Sequence, residues 1–470
     1  MNAHGCLSLR GRTHLDRLPN ELLSAVFILA IEQDCHDKPE PFTTSPTTIS
    51  HVCRRWRQVA LATGALWTKI VLTFPPCDQQ LARTLTWLAR SKTYSLDIIL
   101  DFRDQEWDWD EDTHGFRWGD MEAVLQLLLS SAARWRSIEL LTDTWAPIFA
   151  FLAQTRAVGP TLTRLERLHL ARCNAYFAAK GVVFEPTELS QHLPLFGGAD
   201  ANLPRLSEVR LTGVHIDWAA PPLAGLTKLE LKYQAADVMP SIAQLAHILT
   251  ACPVLETLAI VGSGPHAAHG RSAQGTIKLA RVTSFTFGFV EVPCALQLLA
   301  LLDLPALCDL SLEDVSASLQ HEAPDDASAL LNWLSSTAET SSALPSAASL
   351  APVSAASSSA PCFPLAQLQT LALHAIHAPA TTFARLFGAC SGLGVLRLRS
   401  VAPGALAALP CPALLPRLTT LSVDADADAV LFAHVVETRG AQLAHAFVEP
   451  RAPGLEEDDA PDAADAPPTA

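Results

Sequence analysis

Catalysis needs a nucleophile, a base and stabilising donors gathered in one pocket, so the residues able to supply them come first. The sequence has no phosphate loop ending in Gly-Lys-Ser/Thr, no Gly-x-Ser-x-Gly elbow and no His-Glu-x-x-His. His266 and His269 flank two alanines between glycines. With no carboxylate, cysteine or helical pattern beside them, they read as a loop rather than a metal site. His169, His215 and His374 fall inside or just after short apolar patterns, where packing or solvent exposure accounts for them. The 11 cysteines are odd in number, and even Cys294 and Cys308 are too far apart for a zinc knuckle or redox pair. The expectation is a protein that is not an enzyme, carries no cofactor and no metal, and keeps its thiols reduced inside the cell.

One segment has an unusual composition. Residues 104–112 place Trp107 and Trp109 among six acids. Such a mixture offers a basic peptide both charge and apolar contact. The plainer reading is a solvated acidic insertion with one tryptophan tucked against its neighbours.

The bulk properties narrow the class further. The chain has 470 residues, 49% hydrophobic and 17% charged, enough to bury a large core and too long for one compact domain unless it is a repeat array. Its net charge of −15 arises from 33 basic against 48 acidic residues, and Arg54, Arg55 and Arg57 form the one dense basic cluster. A chain of that sign has no general field to hold a phosphate backbone, so nucleic acid is not an expected partner. Residues 1–15 lack the apolar run of a secretory signal, and residues 22–31 are about half the length that crosses a bilayer. No membrane association is expected, and the location reads as cytoplasmic or nuclear.

The elements that would position any site are set by a repeat, apolar-x-x-apolar-x-apolar. It occurs at Trp135/Ile138/Leu140, Leu165/Leu168/Leu170, Leu206/Val209/Leu211, Leu226/Leu229/Leu231, Leu255/Leu258/Ile260, Val282/Phe285/Phe287, Leu307/Leu310/Leu312, Leu368/Leu371/Leu373, Leu393/Leu396/Leu398 and Leu418/Leu421/Val423. Most first positions are separated by about 20–29 residues, the period of leucine-rich repeats. The last two apolar positions share one face of a short strand. A single strand cannot bury that face alone, so parallel strands with returning helices must stack into a solenoid. Helical spacing is visible at Ile242, Leu245, Ile248 and Leu249, and again at Phe383, Leu386, Phe387 and Cys390. Weaker matches at Leu81, Leu85 and Leu88 before residues 96–100, and at Val124, Leu127 and Leu128 before Trp135, extend the array upstream. The long interval before Leu368 holds a helical stretch near 325–337 and a Ser/Ala/Pro-rich run at 338–361, read as a disordered insertion.

The first seventy-five residues follow another pattern. Asp16 or Asn20 can cap a helix carrying Leu22, Leu23, Val26 and Phe27. After a polar loop at 34–48, Ile49, Val52, Cys53, Trp56, Val59 and Ala60 mark a second helix whose other face holds the three arginines, and a short element contains Leu66 and Trp67. Leu18-Pro19-Asn20-Glu21-Leu22-Leu23, then Ile49-Ser50-His51-Val52-Cys53-Arg54-Arg55-Trp56-Arg57, then Ala65-Leu66-Trp67 resemble an F-box, particularly the form found in basidiomycete fungi. The resemblance covers residues 13–75, and a leucine-rich array is a familiar second half for that family.

What the resemblance implies is a substrate receptor of an SCF-type ubiquitin ligase feeding ubiquitin-dependent degradation. Its helical module would dock a Skp-type adaptor, and through it a cullin, while the repeats hold a client protein. Carried over position by position, the adaptor contacts are Leu18, Pro19, Leu22, Leu23, Val26, Phe27, Ile49, Val52, Cys53, Trp56 and Trp67. A short module cannot bury so apolar a run on all sides. The alternative is a scaffold outside any ligase, its N-terminal helices capping the first strand of the array.

Client contact should fall on the non-leucine strand positions and the residues beside them: Glu166, Arg167, His169, Glu208, Arg210, Lys228, Glu230, Lys232, Glu256, Arg397 and Arg399, together with Trp107 and Trp109. The expected architecture is α/β, with a flexible start at 1–12, the helical module at 13–75, a solenoid of parallel strands and helices at 76–448 carrying the insertion at 338–361, and a disordered acidic tail at 449–470.

Overall fold

The computed structural model describes residues 18–37, 45–108, 110–111, 113–172, 181–265, 276–320, 325–342, 363–411 and 413–449. Two compact units divide the chain between Leu255 and Glu256.

The first unit opens with helices. Helix α1 spans Asn20–Asp37, α2 spans Ser45–His51 and α3 spans Arg54–Ala62. The second helix expected from sequence is therefore two. The break falls at Val52-Cys53, where extended Cys53 caps α3 by accepting the Trp56 N–H at 3.4 Å on its sulfur. Leu23 and Phe27, one turn apart on α1, point inward, and Phe27 meets Trp56 with ring centroids 4.8 Å apart. A 3-10 turn, Gly64–Trp67, then delivers the fully buried Trp67, whose indole donates to the Ala60 carbonyl at 2.9 Å.

Six parallel strands follow: β1 (Lys69–Thr73), β2 (Leu96–Phe102), β3 (Trp135–Thr142), β4 (Arg167–Arg172), β5 (Glu208–Thr212) and β6 (Lys228–Gln234). Helix α4, Asp78–Arg90, returns the chain between β1 and β2. Strand β1 lies within the range expected to be purely helical. Trp67, Ile70 and Leu72 have the spacing of the repeat motif, but Trp67 reads in sequence as part of the helical module, and the strand after it was not recognised. In β2 burial alternates strictly, with Leu96, Ile98, Leu100 and Phe102 on the core side. Between β2 and β3 the register slips at Leu96/Asp97, where Arg136 is the extra residue.

In the second unit the order is β7 (Thr257–Gly262), β9 (Ser284–Phe289), β11 (Asp309–Asp314), β12 (Thr370–His374), β13 (Val395–Arg399), β14 (Thr420–Asp424) and β15 (His445–Glu449), again parallel. Two-residue strands β8 (Ile277–Lys278) and β10 (Leu302–Asp303) pair with each other. Equivalent leucines stack in register: Leu310, Leu371, Leu396 and Leu421 form one row, and Leu312, Leu373, Leu398 and Val423 the next. The first apolar residue of each repeat, as at Leu368, Leu393 and Leu418, is fully buried in the turn before its strand. Each repeat thus seals the next, as a stack of units with no separate core requires.

Helices Ile242–Thr250 and Ala380–Ala389 stand where their spacing placed them. The helix in the long interval runs Ser328–Ser342, so its last turn replaces the start of the expected insertion; residues 343–361 lie outside the described residues, as do 1–12 and the tail beyond 449. Strand β15 was not foreseen. Its register partners on β14 are the inward Leu421 and Val423, yet Ala446 and Val448 remain exposed because nothing described covers them.

Candidate functional site

The residues singled out by sequence gather on the outer side of the helical module and on the open face of the strands of each unit.

Helix α1 is apolar around its circumference. Leu23 and Phe27 fill the module, while Leu22, Val26 and Leu29 stand 54%, 45% and 63% exposed on the opposite side. Those three are spaced i, i+4, i+7 and therefore form one stripe. Val52, in the break before α3, is 57% exposed, and Pro19 and Cys53 are also exposed. Arg55 fixes the start of α1: its guanidinium donates to the Leu18 carbonyl and to Asn20 Oδ1 at 3.0 Å.

Of the residues expected to contact an adaptor, Pro19, Leu22, Val26, Val52 and Cys53 are exposed, and Leu18, Ile49 and Trp56 are half-buried. Leu23, Phe27 and Trp67 are not surface groups at all. They form the module's interior, because a short helical unit needs its largest side chains inside to fold. Leu29 was missed, although its position seven residues after Leu22 was available in the sequence.

The same module is also joined to the first repeat. Trp67 packs edge-on against Trp87 of α4 at 5.4 Å, Arg90 lies over the Trp67 ring at 4.5 Å, and Lys92 donates to the Ala62 carbonyl at 2.7 Å. Its inner side therefore covers the array, as a cap would, and its outer side keeps the apolar stripe bare.

On the open face of the first unit, register brings charged strand residues side by side. One row runs Asp97, Ser137, Arg167, Glu208, Lys228, and the next runs Ile99, Glu139, His169, Arg210, Glu230. The bulged Arg136 turns onto Asp97, with Nε 3.0 Å from Oδ1; Ser137 donates at 2.8 Å. Burial pushes the Asp97 carboxyl up, but hydrogen bonds from Arg136 and Ser137 and the charges of Arg136 and Arg167 bring it below its ordinary value. Glu230 is held between Lys228 at 2.8 Å and Lys232 at 3.0 Å; burial opposes its charge and the two lysines prevail, so its carboxyl also lies low. His169 Nδ1 lies 3.1 Å from Glu139, the contact that chiefly lowers the Glu139 carboxyl. Glu166 and Arg167 make a loose pair at 4.0 Å, and Arg210 sits 3.9 Å from Glu208. The expected client residues of this unit thus form a ladder whose charges are mostly answered by their neighbours.

The acidic tryptophan segment is strapped down. His114, buried, places Nε2 3.0 Å from Asp143, which also accepts the Asp104 N–H at 2.6 Å. Glu111 pairs with the buried Arg172, whose other Nη1 donates to the Glu185 carbonyl at 2.6 Å. Burial raises the Glu111 carboxyl and lowers the Arg172 guanidinium, the cost each charge bears in a dry site and offsets against the other. Trp107 is half-buried and spends its indole N–H on the Asp110 carbonyl at 2.9 Å. Trp109 lies outside the described residues, as do His266 and His269.

In the second unit, Glu256 precedes β7, and Arg397 and Arg399 lie exposed on β13. Among the described residues no group of three or more His, Cys, Asp or Glu could hold a metal, the thiols of Cys53, Cys77, Cys252, Cys294, Cys308, Cys390 and Cys411 are unpaired, and no helix is long and apolar enough to cross a membrane.

No family model matches the sequence, and no curated protein matches it. Among solved structures the chain is similar to one titled "Crystal structure of Rad7 and Elc1 complex in yeast", with 13% sequence identity and a TM-score of 0.33, over 87% of this chain and 88% of that one. The architecture itself is mixed α/β, an array of parallel strands with returning helices preceded by a small helical module.

Proposed function

We propose that this protein is a receptor rather than a catalyst: an F-box-type substrate-recognition subunit of an SCF-type ubiquitin ligase acting inside the cell. Its helical module docks a Skp-type adaptor, which joins it to a cullin, and the strand faces hold a client protein destined for degradation. The observation that carries this reading is the bare stripe of Leu22, Val26 and Leu29 on α1, with Val52 also exposed, on the module whose sequence resembles an F-box. Apolar side chains spaced along one side of a helix are the usual anchors of helix-mediated association. Left in water they are a liability that a partner surface removes.

The experiment is co-purification of the full chain with a Skp-type adaptor. Changing Leu22 and Val26 together to Asp is expected to abolish capture while leaving the thermal midpoint within a few degrees, since both side chains already face solvent. Capture that survives this double substitution would remove the docking assignment and leave the module as a cap for the array.

A further inference from the structure

The open face of the second unit contains a cavity of about 240 Å³ across β11, β12 and β13. Register explains it. Ser311, Ala372 and Arg397 are paired neighbours in one row, and Glu313, His374 and Arg399 in the next. Ala372 is the smallest of the six, so its position is a hollow with Ser311 on one flank and Arg397 on the other.

The charges around this hollow are unequal. Glu313 is engaged by His374 Nδ1 at 3.3 Å. Arg399, which also lines the hollow, is engaged by Glu449 on β15, donating through Nε at 3.0 Å, and Ser422 donates to the other oxygen of that carboxylate at 2.6 Å. Hydrogen bonding from Ser422 and Arg399 holds the Glu449 carboxyl below its ordinary value, so that acid is already satisfied. Arg397 is different. It is exposed and its guanidinium makes no hydrogen bond among the described residues, feeling Glu449 only at longer range. A guanidinium with five donors is thereby left beside a side-chain-sized hollow that also presents a hydroxyl and an imidazole.

We propose that this hollow is a subsite for one anionic side chain of a bound protein, a carboxylate or a phosphate, with Arg397 as its principal donor and Ser311 and His374 completing the contacts. The proposal deepens the receptor reading by naming what part of a client the second unit takes. It contrasts with the first unit, whose strand-face charges are mostly answered by one another. A planar guanidinium facing a planar or tetrahedral anion forms the strong, directional kind of charge-assisted hydrogen bond. The nearby Glu313 works against indiscriminate anion binding, since an anion that cannot reach Arg397 meets its repulsion instead.

The test uses the purified full chain and three fluorescent peptides of one sequence, carrying at the central position Glu, phosphoserine or Gln, with anisotropy as the readout. At least one anionic peptide is expected to bind at least about tenfold more tightly than the Gln peptide, and Arg397→Glu to remove that preference. Ala372→Leu, which fills the hollow without changing charge, should weaken the same peptide. Arg54→Glu, on the helical module, should not. Comparing the Glu and phosphoserine arms decides which anion the pocket prefers. Equal binding of all three peptides, or a preference untouched by Arg397→Glu, would overturn the proposal, as would absence of binding by both anionic peptides at millimolar concentration. Adaptor capture by the Arg397→Glu protein is measured in parallel and should be intact, so loss of the pocket and loss of the docking surface give separate signatures.

Discussion

His215 shows how far one side chain can be removed from its solution chemistry. It is stacked on Trp145 with centroids 4.5 Å apart, meets the edge of Phe184 at 4.5 Å, and has His192 at 5.2 Å. Its Nε2 lies 3.1 Å from the Ser190 carbonyl and so must carry the proton, while Nδ1 has no hydrogen-bond partner. Burial first, then the charges of His192 and Arg172, push its pKa down to about 3. The unfolded chain takes up this proton near pH 6.5 and the folded chain does not, so His215 leaves stability unchanged above about pH 6.5 and erodes it as pH falls towards 3. The slope in that window is roughly 1.4 kcal/mol per pH unit for this one group. Urea melts of the native chain and of His215→Gln between pH 7 and 4.5 should show the native chain losing stability faster with acid; parallel curves would mean the imidazole titrates normally. Gly392 makes a related point about the backbone. A Cβ there would lie 2.4 Å from the Ala366 carbonyl oxygen, so glycine at this position is a packing requirement.

At the level of elements, α1 and the turn holding Trp67 divide the labour of the helical module. Trp67 ties α3 to α4 through its hydrogen bond to Ala60, its edge contact with Trp87 and the Arg90 guanidinium above it. Trp67→Ala is expected to destabilise the first unit by about 3–5 kcal/mol, the usual cost of deleting a buried tryptophan, measured as a shift in the denaturation midpoint. It should also loosen the helices, so adaptor capture falls with stability rather than independently of it, unlike the Leu22 and Val26 changes. A Trp67→Ala protein as stable as the native chain would mean the module and the first repeat are not mechanically joined. The F-box resemblance identified Trp67 as part of a pattern, but a pattern does not state which of its apolar members face outwards. Helical spacing puts Leu22, Val26 and Leu29 on one side and Leu23 and Phe27 on the other; which side is inside depends on where α3 lies.

For the molecule as a whole, each strand is paired only with its neighbours, so stability should be transmitted locally along the array. Leu396→Ala, at a fully buried position of β13, is expected to cost about 2–5 kcal/mol. Hydrogen exchange should accelerate most in β12, β13 and β14 and leave β2 unchanged. Equal acceleration of β2 would show a globally cooperative fold instead of a chain of repeats. The ten repeat patterns were legible because a leucine every second residue, preceded by one three residues earlier, has few other ways of being buried. Strands β1 and β15 carry the same spacing, at Trp67/Ile70/Leu72 and Leu443/Ala446/Val448, but Trp67 reads in sequence as part of the helical module and Ala446 is a weak apolar position, so the strand each pairs with is what identifies them. The charged strand residues were equally visible, but spacing along one strand says nothing of the residue on the next. The sequence by itself determined the repeat, the direction of its strands and the presence of a separate apolar module, because these follow from periodicity along the chain. Only the tertiary structure decided that Glu230 is clasped by two lysines, that Arg397 stands beside a hollow and that half of α1 is bare, because those are facts of register and packing between segments far apart in sequence.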